Sequence, residues 1–189
     1  GVPSSFALEL PPYRRPQIGK VIVRSVFDRT LFVLGRAIAV AAPAGAILWL
    51  LANVQVGDAS LLAHCAAFLD PPGRLLGMDG VILTAFILGF PANEIVIPIA
   101  VMAYTMGETL TDVGDLAAMR DILTTNGWTP LTAVCTILFS LMHWPCSTTV
   151  MTIRGETGSL RHTLAAVLLP TLAGVAVCFL VAAAARLVG

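Results

Sequence analysis

Charge is scarce in this sequence. Of its 189 residues only 12% are Asp, Glu, Lys or Arg, 57% are apolar, and the mean hydropathy is +0.88. A soluble domain carries about a quarter charged residues and somewhat under half apolar ones. The shortage excludes an ordinary water-facing globule and points to lipid as the solvent. Basic and acidic residues number 11 each, a formal net charge of zero, so no electrostatic footprint for nucleic acid is present. The four cysteines, Cys65, Cys135, Cys146 and Cys178, form no CxxC pair, which argues against a disulfide framework or a structural zinc site. Strand-like alternation and low-complexity tracts are missing as well. No signal-peptide succession of basic, apolar and small residues is present. The chain opens on Gly1 rather than Met, and we expect a piece of a longer protein.

What the sequence does contain is long apolar runs. A spanning helix needs about 20 mostly apolar residues, and four stretches qualify: Leu31–Ala52, Val81–Met106, Thr129–Ile153 and Thr163–Ala185. The expected fold is all-α, a polytopic transmembrane helical bundle whose second and third segments are interrupted by proline. Ahead of the first span, Arg14–Asp28 places Ile18, Val21, Ile22 and Val26 at roughly helical spacing among Lys20 and Arg24, the pattern of an amphipathic helix lying at the membrane surface. Six of the eleven basic residues fall between Arg14 and Arg36, which puts the N-terminus on the cytoplasmic side. Ser60–Leu69 is apolar but too short to span, and Asp70-Pro71-Pro72-Gly73 is expected to break it. Asp112–Thr125 reads as a short helix capped by Asp112 or Asp115 and ended by Asn126-Gly127. The last span, with Gly174 and several alanines, suits close helix packing.

The chemistry concentrates where the spans are broken. Unpaired backbone groups are costly in hydrocarbon, so breakers deep in a span persist only where protein or water meets the freed groups. Gly89, Pro91 and Pro98 interrupt the second segment. Pro145 interrupts the third, beside His143, Cys146, Ser147, Thr148 and Thr149. Broken helices at matching places mark transporter binding sites, though a proline kink alone is common. Glu94 is the one carboxylate inside the expected spans: a cation ligand, a proton relay, or a partner for Arg36. Asn93 offers an amide oxygen or caps the second half-helix. Cys146 is a soft donor suited to late first-row metals, or a small buried apolar side chain. His143 is a metal ligand or an interfacial polar residue. Cys135 lies about three helical turns before Cys146 and would share its face if the helix were continuous.

Several of these residues together resemble one family. Glu9-Leu10-Pro11-Pro12-Tyr13-Arg14 looks like the segment ending the core membrane region of the bacterial ferrous iron transport protein B family. Gly89-Phe90-Pro91-Ala92-Asn93-Glu94-Ile95-Val96 resembles the first motif of that family's second Gate repeat, Pro145-Cys146 its second motif, and Arg154-Gly155-Glu156-Thr157-Gly158-Ser159 the loop after it. Asn93 stands where a lysine is expected in many relatives, and His143-Trp144 where an aromatic-Thr pair is commoner.

The resemblance implies an N-terminal segment, residues 1–30, and a Gate-like transmembrane domain, residues 31–189. It implies a parent protein that carries Fe²⁺ across the bacterial inner membrane, with Cys146 and Glu94 on the metal path alongside Pro91, Asn93, His143, Pro145 and Thr148. GTP and Mg²⁺ would enter only through an N-terminal GTP-binding domain. No GxxxxGK[ST] run is present here, so the chain itself is not expected to be an enzyme. Membrane lipid, the parent's first Gate repeat, its GTP-binding domain and further copies of the chain are the expected partners. Two rivals remain open: a Gate-type transporter of nucleosides or other organic solutes, and a non-transporting membrane scaffold.

Overall fold

The computed structural model describes residues 17–105 and 115–188. The chain divides into two units, Gly1–Arg36 and Ala37–Gly189. In the first unit, α1 (Ile18–Ser25) leads through a π-helical turn (Val26–Thr30) into α2 (Leu31–Asn53), which continues in the second unit. Ile18, Val21 and Ile22 stand exposed along α1, and Lys20 and Arg24 lie on the same helix. A helix is present over Ile18–Ser25, where the amphipathic pattern was expected; its expected start at Arg14 lies outside the described residues.

The second unit is almost wholly helical. A two-residue ribbon, β1 (Gln55–Val56) against β2 (Ala59–Ser60), is a small departure from the all-α expectation. Gly57, with φ +69°, supplies its left-handed corner. Ser60 ends the ribbon and caps α3 (Leu61–Leu75), its Oγ accepting from the Ala63 amide at 3.2 Å. The helix then runs straight through Asp70-Pro71-Pro72-Gly73, where a break was expected. Tertiary contacts override the two prolines. Asp70 accepts from the Gly80 amide at 3.2 Å and pairs with Arg74 at 2.7 Å. Gly73 lies so close to Asp79 that a Cβ there would sit 2.7 Å from the Asp79 carbonyl oxygen.

The break falls instead at Leu76–Asp79, where α3 and α4 (Gly80–Leu88) meet at 110°. The Met78 amide donates to Gly73 O at 3.0 Å and the Gly77 amide to Arg74 O at 3.2 Å, with Gly77 at φ +74°. This is the Schellman closure that a left-handed glycine permits. Asp79 then caps α4, its Oδ1 accepting from the Ile82 amide at 2.7 Å, while Oδ2 accepts from the Tyr104 hydroxyl. That hydroxyl in turn accepts from Trp128 Nε1 at 2.9 Å.

After α4 the chain turns through Gly89–Ala92 into a 3₁₀ turn (Asn93–Ile95) and α5 (Val96–Thr105). The expected second span is thus two pieces of 9 and 10 residues, about 14 and 15 Å long at 1.5 Å per residue. Each is roughly half of a hydrocarbon core. Helix α6 (Leu116–Thr125) is capped by Asp115, whose Oδ1 accepts from the Ala117 amide at 3.0 Å, and ends at Asn126-Gly127 as expected. Asp112 lies outside the described residues. The third segment is α7 (Pro130–Met142) followed by α8 (Ser147–Thr157), and the fourth is α9 (Leu160–Val188). Arg154–Thr157, expected in a loop, forms the last turn of α8, and the chain leaves the helix at the left-handed Gly158.

Among the described residues, Val33–Asn53, Pro130–Thr157 and Leu160–Leu187 are long and apolar enough to cross a membrane, and the bent pair α3–α4 qualifies when taken as one span. The chain is a multi-pass membrane protein. Its core gathers Ile82, Phe86, Ile99, Met102, Cys135, Phe139 and Cys178 from α4, α5, α7 and α9. Cys178 Sγ lies 3.4 Å from the Cys135 carbonyl oxygen, and both side chains are fully buried. These two cysteines are packing groups. Cys135 faces α9 and Gly77.

Candidate functional site at two apposed helix breaks

Each break leaves backbone groups without helical partners, and the sequence decides which kind. At the first, Gly89 closes α4 by donating to Ala85 O at 2.8 Å, and Ala92 donates to Gly89 O at 3.0 Å. Pro91 has no amide to give. The carbonyls of Phe90 and Pro91 are left as acceptors beyond the end of α4. At the second, His143 closes α7 by donating to Phe139 O at 2.8 Å, Trp144-Pro145-Cys146 runs non-helically, and α8 starts at Ser147. The first amides of a helix have no acceptor within it, so this break leaves donors.

The two breaks meet. The Ser147 amide donates to Phe90 O at 2.9 Å, and the Ser147 hydroxyl reaches Pro91 O at 3.5 Å. The acceptors of one segment are satisfied by the donors of the other. The close approach of α7's end to α9 follows from Gly174, where a Cβ would sit 3.1 Å from Met142 Cβ.

Around this junction stand the residues singled out from the sequence. Cys146 is half-buried at the N-cap of α8, with its Sγ 3.2 Å from Thr148 Oγ1 and 3.1 Å from Thr149 Oγ1. One soft donor and two hydroxyl oxygens therefore cluster at the mouth of α8. Pro91 and Pro145 are half-buried at the two breaks, and Thr148 is half-buried in the first turn of α8. Asn93 and Glu94 are exposed on the 3₁₀ turn. Ala92, not Asn93, occupies the N-cap position there. Asn93 instead edges a cavity of about 250 Å³ shared with Phe86, Thr136 and Ser140.

His143 is buried. It is 7% exposed and sits in an aromatic cluster, with ring centroids 5.0 Å from Phe86, 5.9 Å from Phe139 and 5.6 Å from Trp144. Its Nδ1 lies 2.9 Å from Ser140 O, while Nε2 and Trp144 Nε1 are buried and meet no hydrogen-bond partner among the described residues. An unmet buried polar atom costs about 1–3 kcal/mol, so these two nitrogens are a local energetic deficit. No group of three or more His, Cys, Asp or Glu comes together as a metal centre among the described residues. Cys146, His143 and Glu94 therefore do not form a closed ligand set among the described residues.

Reading the sequence missed the partners of these groups. Ser147 and Ser140 act through backbone atoms that no side-chain pattern advertises. Phe139 could have been found, because it stands four residues before His143 and so on the same helix face. The Asp79–Tyr104–Trp128 chain also went unseen, although Asp79-Gly80 ahead of an apolar run is a helix-start signature.

A family model described as "Gate: Nucleoside recognition" matches residues 34–160. The Fe(2+) transporter FeoB of Staphylococcus aureus (strain MSSA476) is 27% identical over 183 residues, covering 93% of this chain and 26% of the relative. The Fe(2+) transporter FeoB of Synechocystis sp. is 29% identical over 168 residues, covering 87% and 26%. That of Methanocaldococcus jannaschii is 25% identical over 170 residues, covering 82% and 24%. The chain thus spans about a quarter of the length of these relatives. No solved structure matches it significantly. With the Gate model covering most of the chain, and both broken segments inside it, this chain belongs to the Gate family.

Proposed function

We propose that the chain is part of the membrane path of a ferrous iron transporter that moves Fe²⁺ into the cytoplasm across the bacterial inner membrane. The observation that carries this reading is the junction itself: Ser147 N bonded to Phe90 O at 2.9 Å, with Cys146 directly before Ser147 and Glu94 four residues after Phe90 in the sequence. Fe²⁺ accepts sulfur, nitrogen and oxygen donors. A bound thiolate at Cys146 brings a full negative charge, against roughly half a positive charge from the N-terminus of α8, so the net field at the sulfur favours a cation. The hydroxyls of Thr148 and Thr149 supply oxygen within reach of the same ion. Such a set is incomplete by design of its chemistry: a transport site must bind weakly enough to release. In this reading the first Gate repeat of the parent protein supplies the remaining donors, and its GTP-binding domain governs the cycle. The chain itself does no covalent chemistry, and its N-terminus lies on the cytoplasmic side.

Cys146→Ser in the full-length parent, at equal membrane abundance, should lower Fe²⁺ uptake by about tenfold or more, the scale on which lost metal interactions act. Uptake equal to wild type would remove Cys146 from the path.

One observation favours a second reading. The family model carries the description nucleoside recognition, and Trp144 Nε1 is a buried donor that meets no partner among the described residues, the kind of group that orients an organic solute. Labelled nucleoside uptake by the same cells separates the two readings, since an iron path should show none.

A further inference from the structure

The imidazole of His143 is set up in one tautomer. Ser140 O accepts and cannot donate, so the 2.9 Å contact requires the proton on Nδ1. In the neutral ring Nε2 then carries a bare lone pair. That lone pair is buried, and nothing in the described structure meets it. Metal-binding histidines are held in this way: one ring nitrogen donates to a carbonyl or carboxylate, which fixes the ring and raises the basicity of the other.

A packing role does not account for the residue. Three aromatic rings surround it, with Phe86 at 5.0 Å, Trp144 at 5.6 Å and Phe139 at 5.9 Å. A fourth phenyl ring would fill such a slot with no polar atom left over. Phe86, one wall of the slot, also lines a cavity of about 250 Å³ with Ser140 and Asn93, which His143 itself does not line. Cys146 follows three residues later in the same non-helical stretch.

We infer that His143 Nε2 is a nitrogen donor to the transported divalent cation and sets its preference for Fe²⁺ over harder ions such as Mn²⁺. The inference rests on the transport reading above. Imidazole suits iron, cobalt, nickel and zinc, and affinity rises from Mn²⁺ to Fe²⁺ and beyond at a given nitrogen-containing site. A path lined only by oxygen would discriminate less between them.

The test is concentration-dependent uptake of Fe²⁺ and of Mn²⁺ by cells carrying the full-length parent as wild type, His143→Phe, His143→Gln or Cys146→Ser, each at matched membrane abundance. His143→Phe keeps the aromatic packing and deletes the lone pair. It should raise the KM for Fe²⁺ about ten- to a hundredfold and move the Mn²⁺ parameters less, so the preference for iron falls. An unchanged KM overturns the inference. An equal loss for both metals also overturns it, because that is what a packing defect alone would give. Should His143→Phe fail to reach the membrane, His143→Gln decides by the same ratio. If wild type carries no iron at all, the transport reading falls and this inference with it. If Cys146→Ser abolishes uptake while His143→Phe is silent, only the inference falls.

Discussion

The two helix breaks are built from similar breakers but leave opposite chemistry. Gly89–Ala92 exposes carbonyls and is followed by exposed Asn93 and Glu94. His143–Cys146 exposes amides and carries buried nitrogens and a half-buried thiol. The difference comes from direction along the helix. The first break matters as the end of α4, where acceptors are orphaned; the second as the start of α8, where donors are. Placed together they need no water at the contact. A pair of interruptions that would each be costly in hydrocarbon becomes one satisfied junction.

This comparison can be broken most severely at its tightest point. A Cβ on Gly89 would lie 2.5 Å from Val96 Cγ2 and 2.9 Å from Ala85 O. Gly89→Val should destabilise the detergent-solubilised protein by about 1–3 kcal/mol, and a thermal melt indistinguishable from wild type would show that the break has slack. Ser147→Pro tests the junction alone. Proline is accepted at the first position of a helix, and Cys146 already has the extended ψ of 158° that a following proline demands. The amide facing Phe90 O is lost together with the long hydroxyl contact to Pro91 O, so the expected cost is about 1–3 kcal/mol, most of it from the orphaned Phe90 carbonyl. If Ser147→Pro melts with wild type, the breaks are not coupled. Ser147→Ala removes just the long hydroxyl contact to Pro91 O and should cost under about 0.5 kcal/mol. Glu94→Gln is the smallest in stability, within about 0.5 kcal/mol because the side chain is exposed. It should nevertheless lower Fe²⁺ uptake by the parent; normal uptake would assign Glu94 to the surface and nothing more.

Much of this was legible in the sequence, and for a reason. Low charge and long apolar runs report the solvent, and glycine with proline inside such runs reports where backbone must be rescued. Gly89, Pro91 and Pro145 therefore announced both breaks. What could not be read was who performs the rescue. Ser147 and Phe90 meet through main-chain atoms 57 residues apart in the sequence, and a main-chain partner leaves no pattern of residue types. The same limit explains the error at Asp70-Pro71-Pro72-Gly73. Local propensity predicts a break there, yet Asp70, Gly73 and Gly80 lock α3 against α4. A Cβ on Gly80 would come within 1.9 Å of Ala66 O. The real corner, at Gly77, is set by a left-handed glycine that looked unremarkable among its neighbours.

The hydrogen bond from Ser147 to Phe90 has a mechanical meaning. If α8 withdraws, Phe90 loses its donor in a region where lipid offers no replacement. The carbonyl must then be met by water or by a new protein group. Separation of the two segments therefore carries the cost of one unmet backbone acceptor.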